Sequence, residues 1–431
     1  MPVNTAAAAY YAKGPEGLSR EEIARALEEA MAGRALERVL LLPPDFTRYN
    51  SNAGLITELL WHMLTDGGTE VDIMPAVGSH YPVTRREAGI MFGSVPYEKL
   101  LPHSWRDGVV KLGTVPASFL REVSEGLWEE PIDVEIDRRV LDPSYDLIVS
   151  IGQVVPHEVA GMANYSKNLF VGVGGSDMIN KSHMLGAVFG IERVLGQDHT
   201  PVRALFDHAL ERFLKDRPIL FVQTVCTAAA GKIHTHGLFI GPGRDTYEKA
   251  VRLSQEKNIT YVPRGLTRCV TYLDPEEYRS TWVGNKAIYR TRRAMADGGE
   301  LIILAPGVRT FGEDPEIDRL IRKYGYCGRL RVFEMLKDPK NGDLRAMQGT
   351  AAHLIHGSVD GRFRVIYAVE EDMLQDVRGA GFEAVDVRVA MKIYDPGSLR
   401  EGWNTRADGE EFYFIPNPGL GLWIDKSAYE G

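Results

Sequence analysis

The chain has 431 residues, of which 44% are hydrophobic and 25% are charged, and its formal net charge is −9. This length favours two or three domains, and the composition is that of a globular protein with a large core, which excludes a disordered or collagen-like chain. The acidic balance does not favour nucleic acid or an anionic membrane as a partner. The three cysteines, Cys226, Cys269 and Cys327, lie far apart, which argues against a disulfide framework and a cysteine-rich zinc site.

The N-terminal segment contains a short alanine run without a basic leader, soon followed by charged residues. We therefore expect no secretory signal peptide. No stretch approaches the roughly 18 uncharged apolar residues that a membrane-spanning helix needs. The expected location is the cytoplasm.

Short apolar runs alternate with helical patterns in the first half of the chain. The pattern of residues 18–32 predicts a helix, with Ser19 as the N-cap and Glu22 completing a capping box. The elements expected after it are a strand at 38–42, a helix at 53–66 and strands at 70–77 and 147–154. Strands that alternate with helices predict βα units and a mostly parallel sheet.

The second half shows the same alternation. The sequence predicts a helix at 203–214, a long helix at 279–296, and strands at 219–225, 259–262, 301–305 and 364–369. The polar segment 215–218 after the first of these helices is the best candidate for a domain boundary. We therefore predict two α/β domains, 1–217 and 218–431, with mostly parallel sheets and an active-site cleft between them.

Polar residues follow three of the predicted strands of the first half. Asp45 and Arg48 follow the first, His80 the second and His157 the third. Because ligands bind beyond the carboxyl ends of the strands in open α/β sheets, these loops are expected to meet at one edge. Two imidazoles beside an arginine can form an acid–base pair with an anion clamp. A histidine after a strand is also commonly a capping residue, Asp45 could be a turn residue and Arg48 a surface charge.

A lysine, a glycine cluster and a third histidine come after His157. Lys167 could bond covalently to a cofactor or substrate, although a lone lysine is more often a solvated charge. The glycines would allow a phosphate to approach the backbone, although most such runs are plain turns; they are Gly172, Gly174 and Gly175. His183 lies where a helix is expected to begin, and it could bind a transition metal or simply pack there.

Several common signatures are missing from the sequence. It contains no HExxH, Walker A, GxSxG or CxxC motif, and its glycine-rich segment is not GxGxxG. These absences weaken the standard NAD, ATP and serine-hydrolase interpretations.

The order and spacing of these motifs resemble the nickel-pincer lactate racemase family, the 2-hydroxyacid racemases and epimerases. Asp45-Phe46-Thr47-Arg48 is similar to the family's D-x-T-R, and Gly78-Ser79-His80 to its G-[ST]-H, which carries the first catalytic histidine. Pro156-His157, followed by Ala160-Gly161, resembles P-H-x-x-A-G, which carries the second.

Two further positions follow from the same resemblance. Lys167 falls on the family's cofactor-bonding lysine, and His183 falls on its nickel-ligating histidine. The segment Asn164-Tyr165-Ser166 stands where the family often has Gly-Gly-Arg. The resemblance is good over residues 45–183 and continues less closely to residues near 315.

The second half resembles the family with departures. Leu273 to Tyr278 is similar to its D-x-x-x-Y segment, Arg279 stands where the family has Gln, and Lys286 matches a substrate-binding lysine if a short insertion is allowed. These departures, and the segments STWxGNKA and HLIHGS, resemble sugar-acid 2-epimerases of the gluconate/mannonate type.

The resemblance implies a cofactor, partners and site residues. The cofactor would be the nickel-pincer nucleotide, a pyridinium-3-thioamide-5-thiocarboxylic acid mononucleotide that carries nickel. It would be attached covalently to Lys167, with His183 as a nickel ligand, and would depend on cofactor-biosynthesis proteins. Other expected contacts are Asp45, Thr47, Gly172, Gly174 and Gly175 to the cofactor, and Arg48, Tyr278, Arg279 and Lys286 to the substrate.

The implied activity is inversion at C2 of a small 2-hydroxy acid, most closely a sugar acid such as D-gluconate or D-mannonate. His80 and His157 would exchange the hydroxyl proton on opposite faces while C2 exchanges hydride with the cofactor. Candidate hydroxyl-binding residues for a sugar acid are Tyr81, Asn164, Tyr165, Arg279, Asn285, His353 and His356. Alternation along the chain would place at most one of the last two in the cleft.

The residues, taken without the resemblance, are also compatible with other functions. A lactate-type racemase of short-chain hydroxy acids would use the same residues. A metal-dependent hydrolase would use His80, His157 and His183, and a Schiff-base lyase would use Lys167. A non-catalytic sugar-acid-binding protein would use the histidines only as polar contacts.

Overall fold

Two α/β units make up the chain, one ending at Asn258 and the other beginning at Ile259. The structure is a computed structural model that describes residues 7–229 and 231–427. The prediction about the N-terminal leader concerns in part residues 1–6, which lie outside these ranges. The predicted class, α/β with mostly parallel sheets, is confirmed. Within the described residues, no helix has the length and apolar character that crossing a bilayer requires.

The first unit contains a mixed sheet, two small antiparallel strand pairs and eight α-helices within its described residues. Its strands are β1 (Ala8–Tyr11), β2 (Arg38–Leu42), β3 (Glu70–Ile73), β4 (Val109–Val115), β5 (Ile132–Asp137), β6 (Leu147–Gln153), β7 (Pro156–His157), β8 (Gly161–Met162), β9 (Ile219–Ala229) and β10 (Lys232–Gly241). Its helices are α1 (Arg20–Met31), α2 (Ala53–Asp66), α3 (Arg85–Met91), α4 (Ala117–Val123), α5 (Ser176–Phe189), α6 (Ile191–Val194), α7 (Pro201–Phe213) and α8 (Arg244–Asn258).

The main sheet of this unit has the order β1-β10-β9-β6-β2-β3. Strands β9, β6, β2 and β3 run parallel, and β10 and β1 are antiparallel additions at one side. One face is aliphatic and packs under α1 and α2, through residues such as Ile23, Leu27, Ile56, Leu41 and Val149. The predicted capping box of α1 is confirmed, with Ser19 and Glu22 as its two partners.

The opposite face of the same sheet is more polar. The Nδ2 atom of Asn168 donates to Ser150 Oγ at 3.0 Å and to the Leu42 carbonyl at 3.1 Å. The ring of Tyr165 lies 4.5 Å from that of Phe221 on β9. The segment around residues 164–168 therefore covers this face near the carboxyl ends of β6 and β9.

The boundary between the units lies after Asn258, beyond the predicted position near residue 217. Strand β9 pairs in parallel with β6, and α8 packs against β9 and β10. Residues 219–258 therefore complete the first sheet. The polar segment 215–218 is only the turn that leads from α7 into β9.

The second unit contains a six-stranded sheet in the order β15-β14-β13-β12-β17-β16, in which the β16–β17 pair alone is antiparallel. A separate parallel pair joins β11 to β18. The strands are β11 (Ile259–Val262), β12 (Leu266–Tyr272), β13 (Met295–Leu304), β14 (Arg364–Val369), β15 (Glu383–Asp386), β16 (Gly402–Thr405), β17 (Glu411–Ile415) and β18 (Leu422–Asp425). The helices are α9 (Thr281–Gly284), α10 (Lys286–Thr291), α11 (Pro315–Tyr324), α12 (Arg329–Lys337), α13 (Gly342–Ala346), α14 (Gln348–Gly357), α15 (Leu374–Gly379) and α16 (Val387–Ile393).

The prediction of a long helix over residues 279–296 is wrong. Two short helices, α9 and α10, occupy part of it, and β13 has already begun at Met295. Gly298 has φ +77° and lies inside β13 rather than after a helix. The glycine doublet thus marks an irregularity in a strand, where β12 and β13 also shift register.

Two helical glycines provide a test of the packing under the first sheet. A Cβ at Gly54 in α2 would lie 1.9 Å from the Met91 carbonyl oxygen, whereas a Cβ at Gly89 in α3 would meet nothing within 4 Å. We expect Gly54→Ala to lower the free energy of unfolding by about 1–3 kcal/mol through overpacking. Gly89→Ala should raise it by about 0.5–1 kcal/mol, the helix-propensity gain. Urea unfolding of both variants measures this, and equal effects would contradict the packing described.

Candidate active site

Three loops meet at the carboxyl edge of the first sheet. Strand β2 pairs in parallel with β3 on one side and β6 on the other. The pairing continues past the strand ends, because Pro44 bridges Ala76 and the Ala76 N–H donates to the Pro43 carbonyl at 2.7 Å. This extension sets the segment after β2 beside the segment after β3, as the sequence predicts.

Asp45 and His80 form a close pair at this edge. The Nδ1 atom of His80 lies 2.6 Å from Oδ2 of Asp45, and the other carboxylate oxygen accepts from Thr47 N at 3.0 Å and Thr47 Oγ1 at 2.6 Å. Burial opposes ionisation of Asp45, but the charge and hydrogen bond of His80, the Thr47 hydrogen bond and the charge of Arg48 together hold its pKa below the usual value. A charged Asp45 keeps the proton of neutral His80 on Nδ1, so Nε2 carries the lone pair.

A tight turn presents His80. Its N–H donates to the Val77 carbonyl at 2.9 Å, and Gly78 has φ +58°. The Gly78 N–H donates to the Gly172 carbonyl at 2.8 Å, which anchors the turn on the segment that leads into α5. A residue with a Cβ at position 78 would be strained in this conformation.

His157 lies in the small β7–β8 hairpin, where it pairs with Gly161. Its Nδ1 accepts hydrogen bonds from the N–H groups of Val159 at 3.1 Å and Ala160 at 3.3 Å. The neutral ring therefore carries its proton on Nε2. Gly161 has φ +81°, and a Cβ there would lie 1.9 Å from the Gln197 carbonyl oxygen, which explains the glycine.

In their neutral forms, the two histidines therefore have opposite tautomers. His80 has its lone pair at Nε2, whereas His157 has its proton at Nε2. A proton on Nδ1 of His157 would point at two backbone N–H donors. His80 is thus preorganised as a proton acceptor and His157 as a hydrogen-bond donor, an asymmetry that the sequence did not predict.

Lys167 follows this hairpin and is largely buried. Burial first, and then the charge of Arg48, lower its pKa to about 7, while Glu158 and Asp45 oppose the shift. A large fraction of this side chain is therefore a neutral amine at neutral pH. A neutral amine is the nucleophilic form of lysine.

His183 lies in α5, which begins at Ser176 rather than near residue 180 as expected. Its Nδ1 donates to the Ile179 carbonyl at 2.6 Å, so Nε2 carries the lone pair. Burial lowers its pKa to about 4; the Ile179 hydrogen bond opposes this, and the charges of Lys167 and His80 add to it. The neutral, oriented imidazole has the state that a metal ligand needs.

Sequence reasoning gave Glu158 no role, although it directly follows His157. Its charge acts on both Lys167 and His183, and its Oε1 lies 3.9 Å from Nε2 of His157. Adjacency to a candidate histidine was the one available signal. The site therefore contains a second carboxylate besides Asp45.

Arg203 was also missed, because it comes from α7, far along the chain. Its side chain is buried and donates to the carbonyls of Met162 at 2.6 Å and Asn164 at 3.3 Å, and to Ser166 Oγ at 2.8 Å. Asn164 and Tyr165 have φ of +63° and +56°, which fits the glycines that the family often has at these positions. Arg203 thus supports the strained backbone just before Lys167.

The three glycines predicted to contact the cofactor are closely packed in the structure. A Cβ at Gly172 would lie 2.7 Å from the Ala76 Cβ, one at Gly174 1.9 Å from the Phe170 carbonyl oxygen, and one at Gly175 2.4 Å from Glu135 Oε2. That Glu135 carboxylate also accepts from the Asp177 N–H in the first turn of α5 at 2.9 Å. Close packing gives a structural reason for these glycines, and the Glu135 carboxylate lies at the positive end of α5. Their role in binding the cofactor stays a prediction.

The three predicted substrate contacts of the second half lie in the second unit. Tyr278 is buried and donates to Asn417 Oδ1 at 2.9 Å, and Lys286 Nζ lies 5.7 Å from the centre of the Tyr278 ring. Arg279 is about half exposed and contacts the Glu276 carbonyl at 3.3 Å. The substrate role of all three stays a prediction.

His353 and His356 lie in helix α14, so the alternation expected for them does not apply. His353 contacts the hydroxyls of Tyr289 at 2.8 Å and Tyr326 at 2.7 Å and stacks on Trp282. Both histidines are buried. His353 is therefore a hydrogen-bonded core residue.

Comparison with known proteins supports the predicted family. Residues 14–192 match the model of the lactate racemase N-terminal domain. A crystal structure of a protein from Thermotoga maritima has a TM-score of 0.84 and 26% identity, covering 96% of this chain and 100% of that chain. The lactate racemase apoprotein from Thermoanaerobacterium thermosaccharolyticum has a TM-score of 0.65 and 18% identity, covering 95% and 94%. No curated protein sequence matches the chain.

The matched domain model includes every first-unit residue of the predicted site, from Asp45 to His183. This match supports the conclusion that the protein is an isomerase of the racemase class. At 18% identity, the likeness to the lactate racemase apoprotein adds the fold alone.

The lowered pKa of Lys167 predicts selective reactivity. At pH 7 and limiting reagent, a small amine-acylating compound should modify Lys167 ahead of an exposed lysine such as Lys111, because much of Lys167 is already deprotonated. Arg48→Ala removes a positive charge, raises the pKa of Lys167 and should slow its modification at pH 7. Peptide mass spectrometry measures both rates. Modification of Lys167 that lags behind Lys111 even at pH 8 would contradict this prediction.

Proposed function

We propose that the protein is a racemase or epimerase that inverts C2 of a 2-hydroxy acid, with a sugar acid such as D-gluconate or D-mannonate as its substrate. The observation that carries the proposal is the convergence of two differently oriented histidines with a low-pKa lysine and a neutral imidazole in one unit. The match to the lactate racemase N-terminal domain supports it.

The residues present fit the nickel-pincer nucleotide. Lys167 offers an amine that is largely neutral near pH 7, as a covalent link requires, and His183 offers an Nε2 lone pair with its other ring nitrogen fixed by a carbonyl. When bound, this cofactor supplies a reversible acceptor for the hydride of substrate C2. Lys167 would hold its organic part and His183 its nickel.

His80 and His157 accept and return the proton of the substrate hydroxyl. Nε2 of His80 accepts it, and the charged Asp45 stabilises the imidazolium that forms. On the opposite face, Nε2 of His157 returns a proton to the substrate oxygen; His157 begins this step as an imidazolium and ends it neutral, while His80 ends protonated. Both the imidazolium form and acceptance of the proton in the reverse direction require Nδ1 of His157 to release its contacts with Val159 and Ala160.

Arg48 is the proposed carboxylate anchor in the first unit. Its charge acts on both Asp45 and Lys167. A guanidinium can bind a carboxylate through two parallel hydrogen bonds, which would fix C2 relative to the histidines.

The proposed function is tested by making the protein together with the cofactor-biosynthesis proteins. Intact-mass spectrometry should show a mass gain located on Lys167, and metal analysis should find nickel. Proton NMR should then show inversion at C2 when D-gluconate, D-mannonate, lactate and malate are screened. We expect the sugar acids to react fastest.

Matched variants separate binding of the cofactor from catalysis. His80→Ala and His157→Ala should abolish inversion and keep the mass gain, because neither holds the cofactor. Lys167→Arg should lose the mass gain. Zinc without nickel, a borohydride-trapped keto-acid adduct on Lys167, or no inversion by the loaded enzyme would each refute the proposal.

Asp45→Asn tests the control of the His80 tautomer. The amide can still accept from Thr47, but it replaces the anionic partner of His80 Nδ1. We expect kcat to fall by about 100- to 10,000-fold, as when a triad aspartate becomes an amide, with the mass gain on Lys167 unchanged. Thr47→Val, which keeps the backbone N–H contact, is the control and should have a much smaller effect. Equal losses in both variants would assign Asp45 a purely structural role.

A further inference from the structure

Two buried side-chain amides in the first unit have no hydrogen-bond partner in the part of the chain that the structure describes. Asn164 is 5% exposed and Gln223 is fully buried. In each, neither the amide oxygen nor the amide nitrogen has a partner among the described residues. Buried polar groups are nearly always hydrogen-bonded, so four unpartnered atoms on two side chains require an explanation.

Both amides lie beside Gly152, next to the carboxyl end of β6. The Cγ, Oδ1 and Nδ2 atoms of Asn164 lie 3.2–3.3 Å from the position that a Cβ on Gly152 would take. Gln223 is the register partner of Gly152 on β9. Side chains paired across neighbouring strands project from the same face of the sheet. Because Gly152 has no side chain, the Asn164 amide packs directly over it, on the sheet face from which Gln223 projects.

The two amides lie on the polar face of the sheet, beside the segment that carries the proposed cofactor lysine. Phe221, two residues before Gln223, contacts the ring of Tyr165, which is the neighbour of Asn164. Ser150, two residues before Gly152, binds Asn168, the residue after Lys167. The amides therefore border the segment that carries Lys167.

We propose that Asn164 and Gln223 form a subsite for a pair of adjacent hydroxyl groups. Each amide offers one acceptor and a donor, and each hydroxyl needs one donor and one acceptor, so two amides and a vicinal diol satisfy one another. This inference rests on the proposed function, because the diol belongs to a ligand bound beside Lys167. Two ligands have this chemistry there: the hydroxylated chain of a sugar acid and the ribose of the mononucleotide.

A stability measurement tests the assignment without any activity. Gln223→Met keeps the volume and removes the unpartnered amide, so the melting temperature of the unloaded protein should rise by about 2 °C. Gln153→Met is the matched control. This glutamine is also buried in the same sheet, but its Nε2 donates to the Cys226 carbonyl at 2.9 Å, and its replacement should lower the melting temperature.

Binding measurements on the same variants identify the ligand. Asn164→Gly is the second variant, because glycine tolerates the positive φ of this position. If the diol belongs to the substrate, both variants should weaken D-gluconate binding by about tenfold, measured by calorimetry, and leave lactate and the mass gain on Lys167 unchanged. If it belongs to the ribose, both should reduce the mass gain and affect gluconate and lactate equally.

The proposal is overturned if Gln223→Met destabilises the protein as Gln153→Met does, or if both subsite variants leave ligand binding and cofactor loading unaltered. A wild-type enzyme that inverts no hydroxy acid would refute the proposed function alone. The stability and calorimetric results for Gln223→Met would still decide the subsite.

Discussion

The parallel pairing of β2 with both β3 and β6 is the constraint on which the site depends. It brings three chain segments to one edge, and the bridge between Pro44 and Ala76 carries the alignment beyond the last strand residues. Without that extension, Asp45 would not lie 2.6 Å from His80. The remaining parts, the hairpin of His157 and the helix of His183, are then fixed by glycines that allow close backbone contact. The geometry of the candidate site therefore depends more on the register of the strands than on any individual side chain.

The same edge explains why two histidines of similar sequence context differ chemically. His80 follows its strand in a turn, so its ring meets a buried carboxylate from the neighbouring loop. His157 lies inside a hairpin, so its ring meets the N–H groups of its own next residues. A carboxylate favours a protonated Nδ1, and N–H donors favour an unprotonated one. The proposed inversion requires proton transfer on two faces of one carbon, and His80 and His157 would supply an asymmetric pair for it.

Local signals predicted much of the fold. The strands at 38–42 and 364–369 and the helix at 53–66 have the predicted bounds, because each is a continuous apolar or amphipathic run with a clear end. Two of the failures share one cause, which is that a local break in the pattern was interpreted as the end of a helix or of a domain. Gly298 and Gly299 resembled a helix end but lie in β13, and residues 215–218 resembled a linker but lead into β9. Only the pairing partner decides such cases, and pairing is not a local property.

The candidate site shows the same division between local and long-range information. Motif residues such as Asp45, His80 and His157 could be found because each follows a strand. Arg203 and Gln223 could not, since one comes from a distant helix and the other from the middle of a strand that appeared to belong to the second domain. The two faces of the first sheet also differ in their contribution to stability. The face under α1 and α2 is aliphatic and stabilises the fold. The opposite face retains Ser150, Gly152 and a buried glutamine that has no partner among the described residues, at a cost to stability. The unfavourable burial of polar groups is thus confined to one face of the sheet, beside a lysine of low pKa. This arrangement is expected where a protein loses stability in order to bind a ligand.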